Sequence, residues 1–193
     1  AGQQVTLATQ NGTAIGGTTT PTDGSVDYGT ALQVWSGSAW VAYTPGALVT
    51  LDSAGIALVR SAIVNDTPYE GAQTFNLVAS VSGGLSATGV GTIHDDGTGG
   101  YYPDQAPTLV NGQLTPATNP NAVLNDDRPL SVSSVEVNEG SPYAVFTVRG
   151  TAGQQVTLAT QNGTAIGGTT TPTDGSVDYG TALQVWSGSA WVA

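Results

Sequence analysis

The first 42 residues, Ala1 to Ala42, recur without a change as Ala152 to Ala193. One period is therefore 151 residues. A repeat this long exceeds the ~20–50 residues of helical solenoid units. It suits a sandwich domain of ~100 residues with a connector. The expectation is a window on a tandem array, holding one full period and the opening of the next.

Alternation of apolar and polar residues recurs between turn signals, which is the pattern of half-buried strands. Phe75, Leu77, Ala79 and Val81 share one face of "QTFNLVASV". Ala144, Phe146 and Val148 do so in "YAVFTVRG", and Val5 and Leu7 in "QQVTLAT". "ALVRSAIVND" sets Val59 and Ile63 against Arg60 and Ala62. "ALQVWSGSAWVAY" reads as a hairpin across Ser36-Gly37-Ser38, with Trp35 and Trp40 flanking the turn. "GVGTIHDD" reads as a short glycine-rich strand ending in acid. Glycine, proline and β-branched residues interrupt every helical window. The fold class expected is all-β, an antiparallel sandwich.

Residues 98–129 differ in composition. They hold five of the ten prolines and alternate poorly, as expected of a semi-extended inter-repeat connector. Asn111-Gly112 inside it signals a small hairpin. Tyr101 and Tyr102 are expected to dock this connector on a neighbouring module. The frame becomes residues 1–97, a sandwich lacking its first two strands; 98–129, the connector; and 130–193, the opening half of the next sandwich.

The charge balance narrows function. Three arginines (Arg60, Arg128 and Arg149) face 14 acidic residues, for a net charge of −11. That argues against nucleic acid, which needs cationic surface, and suits cation binding. There is no cysteine, hence no disulfide or thiolate site, and no lysine, hence no Lys–Asn isopeptide link. No apolar run reaches the ~20 residues of a membrane span. The single histidine, His94, precedes Asp95 and Asp96, but no nucleophile elbow accompanies it; no enzymatic role is expected. Asn11-Gly-Thr13, its copy at Asn162 and Asn65-Asp-Thr67 match glycosylation sequons.

Five landmarks then appear in order: "SVSSVEVNEGSPYAVFTVRG", "TQNGTA" with "DGSVDYG", "YTPG", "VNDTPYEGAQTFNLVAS" and "ATGVGTIHDDG". Together they resemble the Calx-beta family and cover most of the period except the connector. They are similar to tandem modules of long bacterial surface proteins of the RTX-adhesin type. The resemblance implies a Greek-key, Ig-like sandwich with calcium at one pole, near the linker. Carboxylates at strand ends and turns would supply its oxygens: Glu139, Asp66, Glu70, Asp95 and Asp96. The alternative is that these are turn formers and solvated loop ends. Two departures each remove a charge. Asn11, and Asn162 in the copy, stand where the family has Asp, and Gln73 where it has Glu.

The function expected is a structural repeat of a secreted or cell-surface protein, building a stalk or fibre. Its partners are neighbouring repeats or copies of itself, joined head to tail by strand complementation. The competing expectation is an adhesin module recognising glycan or a surface protein through its pole loops. Trp35, Trp40, Tyr43, Tyr101 and Tyr102 are candidates to line a sugar site, although packing of the hairpin on the sandwich is the stronger expectation for Trp35 and Trp40.

Overall fold

A computed structural model describes residues 2–117, 124–170 and 174–193. Residues 118–123 of the expected connector lie outside the described residues. Within them the chain is all-β, without a helix, and divides into two compact units, Ala1–Gln154 and Gln155–Ala193.

The first unit carries two four-stranded sheets. In one, β1 (Gln4–Asn11) lies between β5 (Val49–Thr50) and β7 (Gln73–Val81), and β8 (Ser86–Ile93) closes the far edge of β7. In the other, β3 (Tyr28–Trp35) is central. It pairs with β2 (Gly16–Gly17) and β4 (Trp40–Ala42) on one path and with β6 (Val59–Ile63) off it. The ladders are antiparallel, except that β2 and β3 run parallel over two residue pairs.

Alternation dictates what the sheets bury. Val5 and Leu7 of β1 and Leu32 of β3 form the buried cluster, with Val59, Leu77, Ala79 and Val81 packed against it. Burying each large aliphatic contributes about 1.5–3 kcal/mol. Tyr28, 1 % exposed, stacks on Phe75 at 4.3 Å between ring centroids and ties β3 to β7. Tyr43 has a polar task. Its hydroxyl accepts the Leu7 N–H at 2.9 Å and donates to the Ala47 carbonyl at 2.9 Å. A backbone donor of β1 beyond the reach of the short β5 is thereby satisfied.

The expected hairpins form. Trp35 faces Trp40 edge to face at 5.4 Å, across a turn held by Ser36 and relieved by Gly37 at φ 96°. Asn111 (φ 51°) and Gly112 (φ 76°) join β9 (Leu109–Val110) to β10 (Gln113–Leu114). Positive φ at both central residues is what a type I′ turn demands. Tyr101 and Tyr102 are 40 % and 59 % exposed, and residues 104–105 make the contacts with β4 and β6. Asp104 takes the Arg60 guanidinium at 2.6 Å, and the Gln105 carbonyl accepts the Trp40 indole N–H at 3.2 Å. Arg60 also lies over the Trp40 ring at 4.6 Å, so that face of the indole is already covered.

Farther along, "YAVFTVRG" yields only a short strand. β11 (Ser131–Val132) pairs with β12 (Val148–Arg149), and Phe146 is 54 % exposed. The second unit holds the repeated sequence and forms less structure from it. Its pairs are β13 (Gly167–Gly168) with β14 (Tyr179–Gly180), parallel, and β15 (Val185–Trp186) with β16 (Trp191–Val192), antiparallel. These are the counterparts of the β2–β3 and β3–β4 contacts, which are local in sequence. The counterpart of β1 is not a strand. Val5 and Leu7 are 8 % and 7 % exposed, whereas Val156 and Leu158 are 41 % and 42 % exposed. β1 owes its state to β5 and β7, segments distant in sequence that pair along both of its edges. Propensity alone does not hold a strand that lacks partners.

Candidate metal centre

Three carboxylates converge in the first unit. Asp27, Asp66 and Glu70 each offer an oxygen, and these oxygens lie within 4.8 Å of one another. Asp27 is placed by its backbone. It directly precedes β3, is 2 % exposed, and its Oδ2 accepts the Ile15 N–H at 2.6 Å. Asp66 follows β6 by three residues, just before a bend at Thr67–Pro68, and Glu70 precedes β7 by three. Asp95 comes in from the end of β8, where its Oδ2 accepts the Glu70 backbone N–H at 2.8 Å. Strand ends from both sheets thus bring residues far apart in sequence to one place.

The electrostatics are those of crowded like charges. Burial raises the Asp66 carboxyl above its ordinary value, and Asp95, Asp27, Asp127 and Asp23 push it further. Burial also raises Glu70, with Asp27 and Asp66 adding to it. Asp95 is raised first by burial, while the Glu70 N–H pulls the other way. The ion pairs among the described residues, Arg60–Asp104 and Arg128–Asp126, lie outside this cluster.

The residues expected at the site divide. Asp66, Glu70 and Asp95 come together. Asp96 does not join them through its carboxylate, which binds the Thr98 N–H and hydroxyl at 3.1 and 2.5 Å and is held below its ordinary value by those bonds. Glu139 sits on the exposed turn at Asn138–Ser141 and is not in the set. Asp27 is the member the sequence reading missed. Its signal was the "DGSVDYG" turn, where Asp27 immediately precedes a buried tyrosine. Asn11 turns out to have a structural task. Its Oδ1 accepts the Tyr28 hydroxyl at 2.7 Å and the Gly16 N–H at 2.9 Å. Asn162 repeats both bonds with Tyr179 and Gly167. Gln73 stays beside the cluster, donating to Glu70 at 3.2 Å.

The connector returns to the same pole. Asp96 bridges Asp126 in a one-residue ladder, Gly97 N–H donates to the Asn125 carbonyl at 2.8 Å, and Asp127 N–H to the Asp95 carbonyl at 3.2 Å. Arg128 grips Asp126 through two bonds of 2.8 and 2.6 Å, and Gln154 donates to the Arg128 carbonyl at 2.9 Å. The end of β8 and residues 125–128 are therefore tied together beside the carboxylates.

The donor set suits calcium. It is all oxygen, anionic and free of nitrogen or sulfur ligands, and calcium takes ~6–8 oxygens at flexible geometry. Asp27, Asp66 and Glu70 would hold the ion directly, with Asp95 at the rim. The charge it supplies would offset their repulsion. No helix among the described residues is long and apolar enough to cross a membrane. Compared with family models, curated proteins and solved structures, the chain has no match.

Proposed function

We propose that this chain is a structural repeat of a secreted or cell-surface protein, a Calx-beta-like Greek-key module that extends a stalk or fibre. Calcium bound by Asp27, Asp66 and Glu70 stiffens the joint between modules. The observation that carries this reading is the coincidence of the two features at one pole. The only cluster of carboxylates able to share an ion, among the described residues, adjoins the ladder Asp95–Gly97 with Asn125–Asp127. An ion there would fasten the angle at which one module leaves and the next begins. The repeat of 42 residues at a 151-residue period supports an array of such joints. The acidic balance supports a role at the surface that needs no nucleic acid.

Calcium titration followed by calorimetry tests the ion. We expect binding with a dissociation constant of roughly 10⁻⁴–10⁻³ M, the range of extracellular modules. Asp27→Asn should abolish it and Glu139→Gln should leave it unchanged. Absence of binding up to ~10 mM calcium, well past that range, would remove the ion from the proposal.

A further inference from the structure

The connector spans almost none of the distance its length allows. The chain leaves the end of β8 at Thr98 and is back beside it at Asn125. Asp96 bridges Asp126, the Gly97 N–H donates to the Asn125 carbonyl at 2.8 Å, and the Asp127 N–H donates to the Asp95 carbonyl at 3.2 Å. Residues paired across an antiparallel ladder lie ~4.5–5.5 Å apart. Drawn straight, the chain from Gly97 to Asn125 reaches about 90–100 Å. Nearly all of that length is stored behind a ladder of one residue pair.

The described part of the stored length is folded rather than slack. β9 and β10 pair across the Asn111-Gly112 turn, the Thr115 N–H donates to the Thr108 carbonyl at 3.1 Å, and the Ala117 N–H donates to the Tyr101 carbonyl at 2.8 Å. This arm is pinned to the side of the sandwich by Asp104 on Arg60 and by Gln105 on Trp40. The Asp104 side chain is 83 % exposed, and exposed ion pairs hold weakly. The ladder at the base is weak for a different reason. Residues 95–97 and 125–127 run antiparallel, so a pull between β8 and Arg128 breaks the Asp127–Asp95 bond first and the Gly97–Asn125 bond next. The same pull loads β8 along its length, where it pairs with β7 from Gln73–Ile93 to Ser80–Ser86. Bonds broken one at a time yield at lower force than bonds that must break together.

Resting on the reading of this chain as a module of a stalk or fibre, we infer that the ladder between Asp95–Gly97 and Asn125–Asp127 is a sacrificial fastening and the connector a reserve of hidden length. Under tension the ladder unzips and the arm peels from Arg60 and Trp40. The chain lengthens while β1 to β8 stay folded. When tension falls, the Asn111-Gly112 turn reforms the arm from local signals, and the ladder closes.

Optical-tweezers pulling on the full 193-residue chain tests this. The chain has no cysteine, so Thr88→Cys on β8 and Ser134→Cys beyond the ladder give unique attachment points, both exposed. The contour length should grow reversibly by about 90–110 Å, at a force below the one that unfolds the sandwich. Tyr101 and Ala117 are already hydrogen-bonded, so residues 102–116 between them can be deleted. That deletion should cut the early gain to about 40–55 Å. A wild-type chain whose first event unfolds the sandwich overturns the proposal. So does an early gain that ignores the deletion. Should the shortened chain lose its β-sheet circular dichroism, an insertion decides. About ten Gly and Ser residues placed after Gly112, at an exposed loop tip that tolerates them, must add about 35 Å to the early gain. No added length overturns hidden length. Calcium binding to the same chain is a separate readout. Its presence without the early gain sinks the hidden length alone, and an early gain in a chain that binds no calcium sinks the ion alone.

Discussion

Leu7→Ala is expected to lower the stability of the first unit by about 2–5 kcal/mol, while Leu158→Ala changes it by less than about 0.5 kcal/mol. The two leucines occupy the same place in the same 42-residue sequence. Leu7 is 7 % exposed within the core cluster, and Leu158 is 42 % exposed. Removing buried methyl groups loses their transfer energy and leaves a cavity. Removing exposed ones does neither. Urea unfolding followed by tryptophan fluorescence, in dilute solution, measures both. Equal effects at the two positions would mean that the second copy packs a core of its own.

The second large effect concerns charge. Asp66, Glu70 and Asp95 are all raised above their ordinary values. A carboxyl raised on folding binds its proton more tightly in the native state. Its stabilising contribution is therefore complete below the ordinary carboxylate range and is lost as pH climbs through the raised value. Asp23, Asp96 and Asp126 are lowered and act in the opposite sense, so a variant is needed to isolate the cluster. In EDTA at pH 7, Asp66→Asn should melt above the wild type, and the gap should close below pH 4. Calcium should reverse the order. At 100 times its dissociation constant it adds about 2.7 kcal/mol to the protein that binds it. For a domain of ~100 residues that is a rise of about 10–20 °C. Asp66→Asn should gain almost none of it. Differential scanning calorimetry across pH, with and without calcium, reads every part of this. A wild type that melts higher than Asp66→Asn in EDTA at pH 7 would show that the carboxylates do not repel.

Different parts of this molecule were legible in the sequence to different degrees. Local patterns were readable. Asn111-Gly112 specifies its turn through positive φ, and Trp35 and Trp40 flank a hairpin that forms in both copies. The repeat also exposed the limit. "QQVTLAT" alternates identically at both ends of the chain, yet becomes a strand only where β5 and β7 lie beside it. Pattern names the face a strand would bury and says nothing of whether the burying partner is present. The acidic pole was half legible. Asp66, Glu70 and Asp95 stood out as carboxylates at strand ends, whereas Asp27 lies inside the "DGSVDYG" stretch and is turned inward by Ile15 and the start of β3. Glu139 looked equivalent to them along the chain, but its turn is exposed and outside the cluster.

The most direct measurement of the central claim is small-angle scattering from a polypeptide of four consecutive 151-residue periods, with calcium and then with EDTA. The proposal predicts that EDTA shortens the maximum dimension and broadens the distance distribution, as joints freed of their ion sample more angles. Asp66→Asn in every period should give the EDTA profile even in calcium. Identical dimensions in the two buffers would contradict calcium stiffening of the joint.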